Sequence, residues 1–255
     1  MGKNCKEEYE KMMSKSPNKD LNLKKDNKSK ELILPNQDLQ FITDKNLYKE
    51  IIQYLNTIFP NNQNYLGLDK LKFEDNVMKG SNIYNTIAID MYLKSINSRY
   101  RIARQIDLEQ KLDMFKEFYV DSGLALRNLT GVYQQQTKYL FEQLKSRGLT
   151  EDDFPIWFDL RGLKLDNNLI FNLTDESKYK TAKCLNWEDD EYYSEIDDFG
   201  LPKKINENSN RKIVTYNTDL ARCYLVRSSI LSTSGGMSFW QSEEEGYGRI
   251  VLANK

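Results

Sequence analysis

Histidine is absent from all 255 residues of the sequence, and only three cysteines are present. Without histidine, Ser-His-Asp and Cys-His mechanisms, imidazole-bound metals and histidine acid–base catalysis are excluded. Cys5, Cys184 and Cys223 are far apart and odd in number, so they predict neither a disulfide framework nor a zinc cage. Any catalysis would have to use carboxylates, lysine, arginine, tyrosine or hydroxyl groups.

The sequence also lacks long apolar runs and a large net charge. No stretch approaches the roughly 20 apolar residues of a membrane-spanning helix, and the N-terminus has no apolar signal core. With 37 basic and 38 acidic residues, the net charge is −1, so no overall field would attract nucleic acid or an anionic membrane. We therefore expect a cytoplasmic protein, or a virion protein if a phage encodes it, with no cofactor, no metal and no membrane partner.

Residues 1–36 have the composition of a basic flexible tail. Nine lysines outnumber the acids there, and large apolar side chains are sparse. A segment of this kind cannot bury enough apolar surface to offset the entropy that ordering costs. Nucleic acid is an expected partner only through this tail.

Two helices are predicted after the tail. Asp44 is a suitable N-cap for a helix over 46–59, where apolar residues recur at steps of four, four and three. Ser81 could cap a second helix, whose apolar stripe begins at Tyr84.

The strongest helical pattern lies in Arg101–Arg147. Its apolar residues recur at steps of four, three and four, which places them on one helical face: Leu108, Leu112, Phe115 and Tyr119. We interpret this stretch as a long amphipathic helix, a break near Asn128–Gly131, and a second helix that folds back and ends before Gly148.

After Phe154 the period changes to that of strands. Ile156, Phe158 and Leu160 alternate, and the sequence from Leu163 to Leu173 is typical of a β-hairpin. Three more strand candidates follow, in Arg211–Tyr216, Ala221–Leu231 and Gly248–Ala253. We therefore predict an α+β fold, in which the long helix of an N-terminal helical half (37–149) packs against a mainly antiparallel sheet in a β-rich half (150–255). The two halves are expected to share one core over 37–255.

Three arginines at the predicted start of the long helix form a candidate anion-binding site: Arg99, Arg101 and Arg104. Guanidinium groups bind phosphate through paired hydrogen bonds. The acids that follow, among them Asp107 and Glu109, offer the alternative of intramolecular ion pairs.

Aromatic residues next to acids form a candidate interface. The stretch from Asn186 to Gly200 has seven acids and no base, and its spacing matches no calcium loop. We interpret it as a solvated loop whose aromatic residues either anchor it to its own domain or contact a basic partner. A Phe-Trp pair further along is either an interface anchor or core. The interface candidates are Trp187, Tyr192, Tyr193, Phe239 and Trp240.

A short C-terminal stretch suggests an enzyme instead. Arg227, the triplet Ser232-Thr233-Ser234 and the triplet Glu243-Glu244-Glu245 occur in that order. An arginine, a Ser-Thr-Ser strand and a Glu-x-Glu loop resemble the arginine-type mono-ADP-ribosyltransferases, although in that family long connections separate the three elements. The resemblance implies that Arg227 and Ser232 hold NAD, and that Glu245, with Glu243 before it, stabilises an oxocarbenium charge.

The residues favour a non-catalytic binding or assembly protein, whose partner is another protein or further copies of itself. A structural component of a phage or other mobile-element particle is one concrete form, suggested by composition alone. The alternative is an ADP-ribosyl or nucleotidyl transferase that uses Arg227, Ser232, Glu243 and Glu245.

Overall fold

The computed structural model describes residues 38–62, 66–131, 134–187, 191–215, 218–226, 229–234 and 248–255. The basic tail at 1–36 lies outside these ranges. The helices are α1 (Lys45–Ile58), α2 (Ile83–Ser95), α3 (Gln105–Leu108) and α4 (Gln134–Lys145), with 3-10 turns at Leu112–Phe115, Glu151–Asp153 and Lys183–Asn186.

Sixteen strands are described. In chain order they are β1 (Leu39–Phe41), β2 (Lys72–Glu74), β3 (Val77–Lys79), β4 (Tyr100–Ile102), β5 (Tyr119–Leu126), β6 (Ile156–Asp159), β7 (Leu163–Leu165), β8 (Phe171–Leu173), β9 (Tyr179–Thr181), β10 (Glu191–Ile196), β11 (Pro202–Ile205), β12 (Arg211–Val214), β13 (Leu220–Val226), β14 (Ile230–Ser234), β15 (Gly248–Arg249) and β16 (Val251–Asn254). The hairpin predicted between Leu163 and Leu173 is confirmed, because β7 and β8 pair antiparallel.

The predicted long helix over Arg101–Arg147 is wrong. The stretch begins in β4, continues through the four-residue helix α3 and a 3-10 turn, and then forms β5. Of the two helices predicted there, only the second is present among the described residues, as α4. β5 is misleading in sequence because all eight of its residues are buried. A strand that is covered on both faces lacks the alternation of a half-buried one.

The strands do not form a separate C-terminal half, because the large sheet is built around β5. β13 pairs antiparallel along the whole of one edge of β5. The other edge is shared: β15 runs parallel to Tyr119 and Val120, and β6 pairs antiparallel with Gly123–Leu126. The predicted helical half packed against a β-rich half is therefore wrong, since the central strand comes from the part of the chain that was expected to be helical.

The order of the large sheet is β11-β10-β12-β14-β13-β5-β15-β3-β2. β6 branches from β5, and β9 pairs with β6. Among the described strands its parallel pairs are β12 with β14 and β5 with β15. A smaller sheet, β1-β16-β4, lies beside it.

An apolar cluster covers each face of β5. Leu124 and Leu126 join the cluster that includes the buried faces of α1, α2 and α4. Val120 and Ala125 point the other way, into a cluster that contains Trp157 and residues of β12, β13 and β14. The large sheet is therefore the middle layer of the described structure.

The N-terminal caps of the first two helices were predicted more accurately than the long helix. The Asp44 carboxylate accepts hydrogen bonds from the N–H groups of Asn46 (2.7 Å) and Leu47 (3.3 Å), which confirms the predicted cap of α1. At α2 the cap is Asn82, whose side chain accepts from the N–H of Asn85 at 2.8 Å, and not the predicted Ser81. Within the described ranges, no helix is both long and apolar enough to cross a bilayer.

Candidate functional site

Two of the three predicted anion-binding arginines already have an internal anion, Asp107 on α3. Arg104 donates to Asp107 from its backbone N–H (2.9 Å) and from Nη2 (3.0 Å), and Arg101 donates from Nη1. Burial opposes ionisation of Asp107, but hydrogen bonds from Arg104 and Arg101 outweigh it and lower its pKa. Arg99 is exposed and lies over the ring of Tyr100 at 4.7 Å. The alternative of intramolecular pairing is therefore confirmed for Arg101 and Arg104.

Two further buried acids lie near this group. The Asp90 carboxylate is 2.9 Å from Nζ of Lys94. Asp159, at the end of β6, accepts a hydrogen bond from the N–H of Arg161 at 3.0 Å. Burial raises the pKa of Asp159 to about 7, with smaller contributions from Arg104, which opposes the shift, and from Asp90 and Asp107. Within the described parts of the chain, no three His, Cys, Asp or Glu residues are placed to hold a metal ion.

A second buried ion pair joins Glu109, just after α3, to Arg211 on β12. The two guanidinium nitrogens Nη1 and Nη2 are each 2.7 Å from a carboxylate oxygen, so the ion pair is bidentate. Burial opposes the charge on Arg211, but Glu109 outweighs it and raises the pKa of the guanidinium. Arg211 also donates to the hydroxyl of Tyr193.

The interface candidates that the structure describes are not equally accessible. Tyr193 is only 1% exposed and belongs to the core of the sheet. Trp187 is half-buried against the same cluster, and its carbonyl accepts a hydrogen bond from the Thr215 hydroxyl at 2.9 Å. Tyr192 is half-buried, with Nζ of Lys212 5.8 Å from its ring centre. Phe239 and Trp240 lie outside the described residues.

The predicted acidic loop between Asn186 and Gly200 contains a strand, which corrects the sequence interpretation. β10 occupies Glu191–Ile196 and pairs with both β11 and β12. After it, Asp197 and Asp198 bind Nζ of Lys180 at 2.8 and 3.3 Å. Those of its acids that the structure describes, Glu191, Glu195, Asp197 and Asp198, therefore lie on and beside a sheet hairpin.

Sequence reasoning missed the pair of Arg222 and Asp121, which is buried at the centre of the sheet. Nε and Nη2 of Arg222 are 2.8 and 2.6 Å from Oδ1 of Asp121. The guanidinium carbon lies 4.9 Å from the ring centres of both Tyr119 and Tyr224. A single charged residue within each of two otherwise uncharged strands was the available signal, although it does not identify the partner.

Of the four residues proposed for a transferase, the structure describes Ser232. Its side chain is fully buried on β14, opposite Tyr224 in the register, and its hydroxyl has no hydrogen-bond partner among the residues that the structure describes. Arg222 is two residues before Tyr224, on the same face of the sheet. Arg227, Glu243 and Glu245 lie outside the described residues.

The edge that β11 forms is exposed. Its last three residues, Lys203, Lys204 and Ile205, are exposed, and 45% of Ile205 is accessible. The N–H of Asn206 donates to the carbonyl of Tyr192 at 2.7 Å. Because hydrogen-bonding direction alternates along an antiparallel strand, the N–H and C=O of Ile205 point away from β10, towards the open edge.

Comparisons of the chain with models of protein families, with curated proteins and with solved structures found no match.

Proposed function

We propose that this chain is a non-catalytic binding or assembly protein that contacts a protein partner through the outer edge of β11. The observation that carries the proposal is the exposure of Ile205 on that edge. Four large apolar side chains are exposed among the described residues, and the other three are not on strands: Ile58, Ile96 and Tyr139. Open edge strands accept strands of other proteins, because their outward N–H and C=O groups lack a sheet partner.

The buried charges support a structural role for the interior. Asp107, Glu109 and Asp121 are each held by arginine, so their charges are matched within the fold. Buried carboxylate–arginine pairs fix the relative positions of the elements that carry them. A component of a phage or other mobile-element particle, in the cytoplasm or in the virion, is the concrete form that we propose.

A transferase is the second candidate, and the Ser232 hydroxyl is the observation that favours it. A fully buried hydroxyl without a hydrogen-bond partner is uncommon in a folded protein. Opposite Tyr224 in the register, it has a donor and an acceptor of the kind that a ligand such as NAD would use.

A titration with NAD separates the two candidates. The purified full-length chain is titrated by calorimetry, and its mass in solution is measured by light scattering. We expect no heat from NAD. A monomer that binds NAD, with binding lost in Ser232→Ala and kept in Ser194→Ala at an exposed position of β10, would overturn the binding role in favour of the transferase.

A further inference from the structure

We infer that the segment accepted by β11 is an extended, acidic strand of another protein; this inference rests on the proposed function. The backbone of β11 supplies outward hydrogen-bonding groups at Ile205. Its side chains supply the selectivity, since they combine one apolar residue with two lysines.

The pairing register of β11 with β10 places an apolar side chain at the edge of the sheet. Ile205 lies opposite Tyr193, which in turn lies opposite Arg211, so the three side chains form a row on one face of the sheet. Tyr193 is buried within this row, and Ile205 is its uncovered end. An apolar side chain on an added strand would lie next to Ile205 and extend the row by one residue.

The charged residues of β11 itself are both lysines. Nζ of Lys204 is 3.5 Å from the Glu195 carboxylate, in a pair whose side chains are 67% and 46% exposed. A pair as exposed as this is weak and leaves Lys204 available to another carboxylate. Lys203 forms no ion pair with any residue that the structure describes. A segment with acids beside its apolar residue therefore complements this edge.

The same lysines argue against a second copy of this chain as the occupant. Two copies of Pro202–Ile205 paired antiparallel would bring the lysines of one strand close to those of the other, and like charges across a strand pair are destabilising. Pro202 also lacks an N–H to donate. Lysines on an edge strand oppose unselective strand pairing, whereas opposite charges across a strand pair are stabilising.

The other described edge strands of the large sheet do not expose an apolar residue next to lysines alone. β2 exposes Lys72 and Glu74, which have opposite charges, and its central Phe73 is half-buried against the core. β9 exposes Thr181, whose hydroxyl donates to the carbonyl of Asp153 at 2.8 Å. β11 is therefore the described edge that selects for acidic strands.

The test uses a defined peptide of about eight alternating valine and glutamate residues, the length of an ordinary strand. A peptide in which lysine replaces glutamate is the matched control. Each is titrated into the isotope-labelled full chain, and amide shifts are followed by NMR. We expect the acidic peptide to shift the signals of β10 and β11, and the lysine peptide to leave them unchanged. Reversing both charges, in Lys203→Glu with Lys204→Glu, should weaken binding of the acidic peptide by at least roughly ten-fold.

A proline variant tests the role of the backbone. Ile205→Pro removes the outward N–H and leaves the hydrogen bonds to β10 in place, whereas Ile205→Val keeps that N–H and most of the apolar surface. We expect Ile205→Pro to abolish peptide binding and Ile205→Val to change it by less than about three-fold. The dispersion of the amide signals reports whether each variant is folded.

Three results would overturn the inference. They are equal binding of the two peptides, no binding of the acidic peptide, and binding that Ile205→Pro leaves intact. Self-association that Ile205→Pro abolishes would identify a second copy of the chain as the occupant instead. If the acidic peptide fails to bind and NAD also fails to bind, the inference falls and the proposed binding role stands.

Discussion

Arg222 and Asp121 form an ion pair inside the large sheet, with Nε of the arginine 2.8 Å from Oδ1 of the aspartate. Burial opposes the charge on Arg222, but the carboxylate of Asp121 outweighs it and raises the pKa of the guanidinium. The pair joins β13 to β5, which are already adjacent strands, and two tyrosine rings flank the guanidinium. The charges therefore fix side-chain positions at the centre of the sheet.

Breaking this pair should be costly. Asp121→Asn leaves a buried guanidinium without its carboxylate, and we expect the free energy of unfolding to fall by about 3–5 kcal/mol. Urea denaturation followed by circular dichroism measures the change. Glu195→Gln, which breaks the exposed pair with Lys204, is the control and should cost at most about 1 kcal/mol. Equal costs in the two variants would show that the Arg222 pair contributes no more than a surface contact.

Gly123 is expected to tolerate no side chain. A Cβ added there would lie 2.1 Å from Nε1 of Trp157, so Gly123→Ala should destabilise the chain by about 3 kcal/mol. The atoms that clash belong to the indole and include Nε1 and Cζ2. In a Trp157→Phe background, the cost of Gly123→Ala should therefore be clearly smaller, as measured by a double-mutant cycle of thermal unfolding. The same cost in both backgrounds would contradict the contact.

Stability should depend on the ionisation of Asp159. Burial raises its pKa from 3.8 to about 7, so the folded chain holds a proton that the unfolded chain releases at lower pH. The contribution to stability is fully present below pH 3.8 and is lost as the pH rises through about 7. Asp159→Asn keeps a neutral side chain, and this decline in the free energy of unfolding should be absent in that variant.

Urea titrations at several pH values test this expectation. Asp113→Asn is the matched control, because that side chain is 91% exposed and pairs with Lys116 at the surface. We expect the control to follow the unmodified chain. Parallel pH profiles for Asp159→Asn and the unmodified chain would show that Asp159 is not the titrating group.

The two described cysteines should be inert in the folded chain. Burial raises the pKa of the Cys184 thiol to about 12, and burial also raises the pKa of Cys223. Since the thiolate is the reactive form, a thiol reagent at neutral pH should modify neither residue until the chain unfolds. Mass spectrometry of peptides from native and urea-treated protein measures this. Modification of Cys184 or Cys223 in the native state would contradict the burial.

The sequence predicted features that depend on near neighbours. The Asp44 cap acts on residues two and three positions away, and Arg104 pairs with Asp107 three positions away, so both can be read locally. Arg222 and Asp121 are 101 positions apart, and only the register of β13 on β5 brings them together. β5 was misread because burial on both faces removes the alternation that identifies most strands.

The small sheet has a consequence for how the chain acquires its structure. β16 pairs with β1 on one edge and with β4 on the other, and these contacts join residues about 200 and about 150 positions apart. Neither early strand has this neighbour until residues 251–254 have been made and have reached it. Closing loops of this length is slow, because many conformations must be given up before the first contact forms. We therefore expect folding of the intact chain to be limited by the arrival of β16, with β1 and β4 among the last strands to be protected from hydrogen exchange during refolding.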